Sequence, residues 1–273
     1  MSILSRIILL SVSLVLITSG IISIYSYSQS SEAAKERLNE SVKAEVKMKV
    51  VSISHNLKTL QDDVIFLSRL TAINRIVRAR EAGGIDPQSG ESEVDSRIHL
   101  VEMFRAFLSS QPEYFQIRFV GVDDLGREIV RVEGNAGLIK VSSEGELQQK
   151  GHRPYFKQSI TLKKDEVLLS DLNLNQEHGH VEIPYIPTMR ASTPIFDMYG
   201  HVFGFVIINK NMTSMLEMIS EIDFKGDSDY LLNSSGDILA SQISSQNFGF
   251  NHGLHHRIQE AYPETSSLFT TID

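Results

Sequence analysis

Cysteine is absent from all 273 residues, which excludes disulfides, thiol catalysis and cysteine-held metals while leaving an oxidising compartment open. Basic charge is in short supply: 26 Lys and Arg stand against 34 Asp and Glu, a formal net charge of −8. With no basic stripe and no zinc-finger spacing, nucleic acid is not an expected partner. Catalytic signatures are missing too. There is no Gly-x-Ser-x-Gly, no His-Glu-x-x-His and no Walker loop, so no enzymatic activity and no cofactor are expected of this chain. The carboxylate pairs Asp62-Asp63 and Asp123-Asp124 read as solvated faces of a helix and a turn.

Ile7 to Tyr27 is a run without a single charge. About twenty apolar residues at 1.5 Å rise each match a hydrocarbon core roughly 30 Å thick. Arg6 and the free amine precede the run, and Tyr25 and Tyr27 stand where an interfacial aromatic belt belongs. The competing reading is a cleaved signal peptide, whose apolar region is shorter, ~7–15 residues, and ends in small residues. Length, and the poor cleavage match at Tyr25-Ser26-Tyr27-Ser28-Gln29, favour an anchor. We therefore expect residues 1–6 as a cytoplasmic tip and 7–28 as a transmembrane helix in the inner membrane. The bulk of the chain would then be periplasmic.

Glycine and proline do not interrupt the chain from Ser31 to Gly83-Gly84. Apolar residues recur at Leu38, Val42, Val46, Val50, Ile53, Leu57, Leu60, Val64 and Leu67. Steps of three and four predict one long amphipathic helix, heptad-like in its second half, either packed on its own domain or pairing as a stalk with a second copy. After the Gly83–Gly90 loop, a second helix is expected from Glu93 to Ser109, with Val94, Ile98, Val101 and Leu108 on one side. The period then becomes two. Three times a strand runs into an Asx-x-x-Gly turn and returns: at Asp123–Gly126, Asp197–Gly200 and Asn233–Gly236. Between the hairpins, a helix is expected over Pro154–Leu162, a brief strand at Val167–Leu169, a polar loop over Asn173–Thr188 and a helix over Met212–Ile222. This pattern predicts an α+β fold with antiparallel sheets and helical cover. From Ser228 only 46 residues remain, where a sheet module of this kind needs about 100, so the second module is expected to be incomplete.

The succession Gln116-Ile117-Arg118, Gly126 to Arg131, Leu147-Gln-Gln-Lys150, Arg153-Pro-Tyr-Phe156, Ser170 to Leu174, Glu177-His-Gly179, Pro187 to Arg190, Thr193-Pro194 and Gly204 to Asn209 resembles the double Cache sensor domains. These are tandem PAS-like modules outside the membrane in bacterial histidine kinases, diguanylate cyclases and chemoreceptors, and the likeness covers roughly residues 30 to 260. It implies a stalk helix plus membrane-distal ligand-binding module over 29–222, and the start of a membrane-proximal module over 223–273. It also implies a role in signal transduction, two-component or cyclic-nucleotide, with the output domain elsewhere. In the family's amino-acid binders an Arg-x-Trp-Tyr motif opens the pocket helix, and its arginine takes the ligand carboxylate. Here the slot reads Arg153-Pro154-Tyr155-Phe156. Those members place an aspartate, and the dicarboxylate binders a lysine, where Asn209 stands, so the resemblance leaves the ligand class open between organic and amino acids.

From the residues themselves, Arg153 is the leading site candidate, because a guanidinium offers a bidentate fork to a carboxylate. Tyr155 stands beside it. Arg118 and Arg131 lie within apolar alternation and must be paired or reach a cavity. With Arg190 they form either a pocket wall or an internal ion-pair network, with Glu128 and Asp171 as available partners. Ser170, Asp171, Thr193 and Asn209 complete the candidates, although turn capping is the ordinary job of the first three. Asp197 to Asn209 would close the pocket floor, and the Met212 helix would couple to the second module. The histidine clusters, His178-x-His180 in a loop and His255-His256 on an expected helix, fall short of a three-ligand metal site. The expected function is a membrane-anchored sensor of a small, carboxylate-bearing molecule, dimeric through the stalk. The alternative is a structural or protein-binding ectodomain, which would show no cavity of ~300 Å³ or more near Arg153.

Overall fold

The computed structural model describes residues 3–135, 137–177, 179–220, 230–241 and 243–269. The chain divides into two compact units, Met1–His55 and Asn56–Asp273, and helix α1 (Ile3–Ser68) belongs to both. In the first unit Ile17, Ile21, Ile22 and Ile24 are exposed along a helix that is long and apolar enough, by length and composition, to cross a membrane. Hydroxyls within the apolar run turn back on their own helix: Ser11 donates to the Ile7 carbonyl and Thr18 to that of Leu14, both at 3.0 Å. These two hydroxyls are thereby satisfied without water.

In the second unit the end of α1 buries Leu60, Val64 and Leu67, the heptad-spaced residues. An uninterrupted helix to Gly83 is not what forms. Leu70 takes φ −60°, ψ 134°, and α2 restarts over Thr71–Glu81. In a straight helix Ile76 would sit about 180° round the axis from Leu67. The break turns Ile73, Ile76 and Val77 into the same core. Helix α3 (Glu93–Ser110) begins at Ser92, whose hydroxyl accepts from the Asp95 amide at 3.1 Å. Its buried stripe is Leu100, Phe104 and Leu108. The expected stripe holds in its second half, where Leu108 is buried and Val101 packs against the core, but Val94 and Ile98 face solvent and Leu100 and Phe104 take their place.

The main sheet is antiparallel, with strands β1 (Tyr114–Gly121), β2 (Glu128–Asn135), β3 (Leu138–Val141), β4 (Leu168–Leu169), β8 (Pro187–Phe196) and β9 (Val202–Asn211) in the order β3-β2-β1-β9-β8-β4. A short β5 (Asn173–Leu174) also pairs with β8. Beside it β6 (Gln176–Glu177) and β7 (His180–Val181) form a small ribbon, so the segment expected as a polar loop is largely paired backbone. The first Asx-x-x-Gly segment is α4 (Asp123–Gly126), a turn in which Asp124 and Leu125 take positive φ. A Cβ at Gly126 would overlap the Phe156 ring, so the turn and the helix α5 (Pro154–Ser159) seat together only with glycine there. At the second turn Asp197 accepts from the Tyr199 and His201 amides at 2.9 and 2.7 Å.

Helix α6 (Thr213–Ser220) leads toward the third hairpin, β10 (Tyr230–Leu232) and β11 (Ile238–Ser241); Glu221 and Ile222 lie outside the described residues. Leu239, Ala240 and Phe248 share a small core with Leu172, Leu174, Met212 and Leu216. His255 and His256 lie outside any helix, because α7 starts only at Ile258. His178 is outside the described residues. Among the described residues no group of three His, Asp or Glu is placed to hold a metal ion.

Candidate functional site

The site grows from register. On one sheet face Glu133, Gln116, Asn209 and Arg190 stand opposite one another across β2, β1, β9 and β8. Arg131 and Arg118 face each other in the next row. Charges in strand positions that alternate with buried apolar residues require partners, and these side chains supply them to one another. Arg118, 2% exposed, donates to Tyr155 Oη at 3.1 Å, Asn209 Oδ1 at 3.1 Å and Glu128 Oε1 at 3.4 Å. The Asn209 amide donates to Gln116 Oε1 at 3.0 Å, and Gln116 donates to Glu133 at 2.6 Å. Arg131 pairs with Glu133, and with Glu177 at 3.2 Å and Glu128 at 3.8 Å.

Tyr155 is the hub. It follows Pro154 at the first turn of α5, where proline's fixed φ suits the helix start, and its ring lies beneath three guanidinium groups. Arg118 is 5.6 Å from the ring centre, and Arg153 and Arg190 are each 6.0 Å away. Arg153 and Arg190 also line an open cleft of about 370 Å³, together with Tyr155, Gln158, Asp171 and Gln176.

These two cations differ from the others. Arg190 is 5% exposed, and its nitrogens go to the amide oxygens of Asn173 at 2.9 Å and Asn175 at 3.1 Å. Arg153 donates to Gln176 Oε1 at 3.4 Å. Among the described residues neither forms a salt bridge, so amides orient both guanidinium groups without neutralising them. Burial, then repulsion from Arg118, pulls Arg190 down to about 10, so it is still cationic at neutral pH. For Arg118 burial disfavours the charged form, but Tyr155, Glu128 and Glu177 outweigh it and the net shift is upward. Glu177 is raised by burial and lowered further by Arg131, Lys150 and Arg118, so it stays a carboxylate.

The sequence candidates fall into three groups. Arg153, Tyr155, Ser170, Asp171 and Arg190 share the cleft. Arg118, Arg131 and Asn209 sit behind it in the buried network, so both readings of the arginine group apply, to different members. Asp171 does not pair with Arg118 or Arg131: it is exposed at the cleft edge, and Glu128, Glu133 and Glu177 serve instead. Thr193 is absent from the cleft lining, and its hydroxyl donates to the Glu166 carbonyl at 2.8 Å. Ser170 accepts from the Arg190 amide at 3.0 Å, a backbone role. Sequence reasoning missed Lys150, Asn173, Asn175, Gln176 and Glu177 as site residues. All but two of them lie inside the motifs that carried the family resemblance, and Asn175 and Gln176 directly follow or precede such motifs; that clustering was the available signal.

A profile of the bacterial histidine kinase sensor domain matches residues 88–271. The chain therefore belongs to the bacterial histidine kinase sensor-domain family. Solved structures share the fold at low identity. The extracellular domain of a histidine kinase superposes with a TM-score of 0.60 at 19% identity, over 81% of this chain and 76% of that one. A domain of a sensory box/GGDEF family protein from Vibrio parahaemolyticus gives 0.61 at 18% identity, over 81% and 80%. The periplasmic sensory domain of the Campylobacter jejuni chemoreceptor Tlp1 gives 0.52 at 12% identity, over 79% and 76%. No curated protein matches the chain. The Cache-type resemblance and the α+β fold are borne out, and among the described residues one helix, at the amino end, is long and apolar enough to cross a membrane.

Proposed function

We propose that this chain is the periplasmic input region of an inner-membrane receptor, a histidine kinase or diguanylate cyclase, and that it binds a small carboxylate-bearing molecule in the cleft beside Arg153. The observation that carries this reading is the pair of guanidinium groups lining a cleft of about 370 Å³, each held by amide oxygens and left with its charge. A carboxylate entering there gains charge-assisted hydrogen bonds from donors that are already oriented. The volume falls within the range of small-molecule sites and exceeds what a purely structural ectodomain would require. Ligand contacts with α5 and β8 would bias the arrangement of the sheet and the helices packed on it, and any preference for one arrangement shifts the population. Pairing of two copies would use the exposed Leu38, Val46 and Val50 of α1, spaced by multiples of four on one helix face, because the heptad-spaced Leu60, Val64 and Leu67 are buried in the chain's own core.

The test is a thermal-shift screen of the detergent-solubilised chain against mono- and dicarboxylic acids and amino acids. At least one carboxylate should raise the melting temperature. Arg153→Ala should weaken that ligand about 10- to 100-fold, the worth of a charge-assisted contact. An unchanged affinity in Arg153→Ala refutes the site.

A further inference from the structure

Behind the cleft lies a much smaller space. Arg118, Lys150, Arg153 and Arg190, with Tyr155 and Glu177, border a void of about 10 Å³. Arg153, Tyr155, Gln176 and Arg190 border cleft and void alike, so the two spaces adjoin. The void admits about one water-sized sphere.

Its surroundings are out of charge balance. The cluster contains five cations, Arg118, Arg131, Lys150, Arg153 and Arg190, and three carboxylates, Glu128, Glu133 and Glu177; five against three leaves two positive charges. Asp171 and Glu182 stand farther out, Asp171 exposed at the cleft and Glu182 bonded to the Asn175 amide at 2.8 Å. A second observation is independent of this count. Arg118 is 2% exposed, yet its Nε finds no acceptor among the described residues. Lys150 is 6% exposed, and its ammonium donates to Gln148 at 2.6 Å but comes no nearer than 3.9 Å to Glu128. A buried cation without a counter-charge is costly, and a buried donor without an acceptor adds to that cost.

We propose that the void is a binding site for a single-atom monovalent anion, a halide, held among Arg118, Lys150, Arg153 and Arg190. A water molecule would satisfy a donor but leave the charge. A carboxylate carries too many atoms for the space and belongs in the cleft outside. The site goes beyond the carboxylate reading of that cleft and stands without it. Proton linkage follows from Lys150, which burial and then Arg118 pull down to about 8, with Arg131 acting in the same direction and Glu128 and Glu177 opposing. Deprotonation removes one of the cations, so halide affinity falls as pH rises through that value.

The experiment is thermal unfolding of the detergent-solubilised chain at pH 6.5 in sodium chloride or bromide, against sodium methanesulfonate at equal ionic strength. The melting temperature should climb with the logarithm of halide concentration once the site fills. It should not climb in methanesulfonate, whose anion is too large. The halide response should shrink at pH 9.5 and vanish in Lys150→Met. Should that variant fail to fold, the half-exposed Arg153→Gln should weaken the response about 10-fold. A crystal grown in bromide should show an anomalous peak among the four cations. Equal shifts in methanesulfonate, or an anomalous map with water alone in the void, overturn the proposal. The carboxylate and amino-acid screen in the same assay separates the two sites: no shift from any of its members with the halide response intact refutes the carboxylate reading only, and the reverse refutes the halide site only.

Discussion

The two faces of the central sheet use the same four strands for opposite purposes. Val132, Ile117, Ile208 and Ala191 face one another across β2, β1, β9 and β8, all buried against the core that α1, α2 and α3 cover. One residue along each strand, Glu133, Gln116, Asn209 and Arg190 form the polar row on the other face. The apolar row is stabilised by removal of surface from water and has no directional demands. Every member of the polar row has to be matched to a partner, so its side chains are fixed in place but contribute little net stability. The contrast also explains why the register is secure. A slip of one residue would drive the glutamate and the arginine into the helical core and turn the aliphatic row toward the cleft.

The largest expected effect lies on the apolar face. Phe104 is fully buried between α3 and the sheet, and Phe104→Ala should cost about 3–5 kcal/mol in urea unfolding of the chain. A loss below about 1 kcal/mol would mean that the helical core is not what secures the sheet. On the polar face the key carboxylate is Glu128, 1% exposed, which meets Arg118 at 3.4 Å and Arg131 at 3.8 Å and accepts from the Gln148 amide at 3.0 Å. Glu128→Gln keeps the shape and an acceptor but removes the carboxylate that Arg118 and Arg131 share. We expect about 2–3 kcal/mol, less than outright loss of a buried partner. A neutral result would show that the arginine network tolerates still more excess charge, which would remove the electrostatic case for an anion behind the cleft.

Much of this organisation could be read from the amino acids. The three hairpins were legible because glycine takes the positive φ, at 74°, 86° and 83° for Gly126, Gly200 and Gly236, and because Asp197 and Asn233 cap the second and third turns. Arg153, Tyr155 and Arg190 were legible as candidates mainly because they stand inside the motifs that carry the family resemblance. The break at Leu70 was legible in principle: the apolar phase shifts between Leu67 and Ile73, a signal that the absence of glycine and proline obscured. The stripe of α3 was not, because Val94 and Ile98 fit helical spacing as well as Leu100 and Phe104 do. Least legible were the partners. Gln176 meets Arg153 across 23 residues of sequence and Asn209 meets Gln116 across 93. Such pairings depend on strand order, which local periodicity does not specify.

The smallest expected effect tests a polar contact placed on the apolar side. Tyr114, on β1, donates its hydroxyl to Asp63 of α1 at 2.5 Å, while its ring stacks on Phe107 at 6.1 Å and lies under the Lys210 ammonium at 5.8 Å. Lys210 in turn reaches Glu113 at 2.8 Å and Asn56 at 3.0 Å. Tyr114→Phe keeps the ring contacts and deletes one hydrogen bond, so about 1–2 kcal/mol should be lost. Burial, then the Asp63 hydrogen bond, pushes the Tyr114 hydroxyl well above the usual tyrosine range. The hydroxyl therefore stays protonated in the folded chain, and the difference between wild type and variant should hold constant from pH 7 to 9, before an unfolded tyrosine begins to ionise near 10. Above that pH the unfolded wild-type chain gives up its tyrosine proton while the folded chain keeps it, and the wild-type advantage should decline. An advantage that grew with alkalinity would place the tyrosinate, not the phenol, in the folded state, and the contact between strand and helix would need a different physical account.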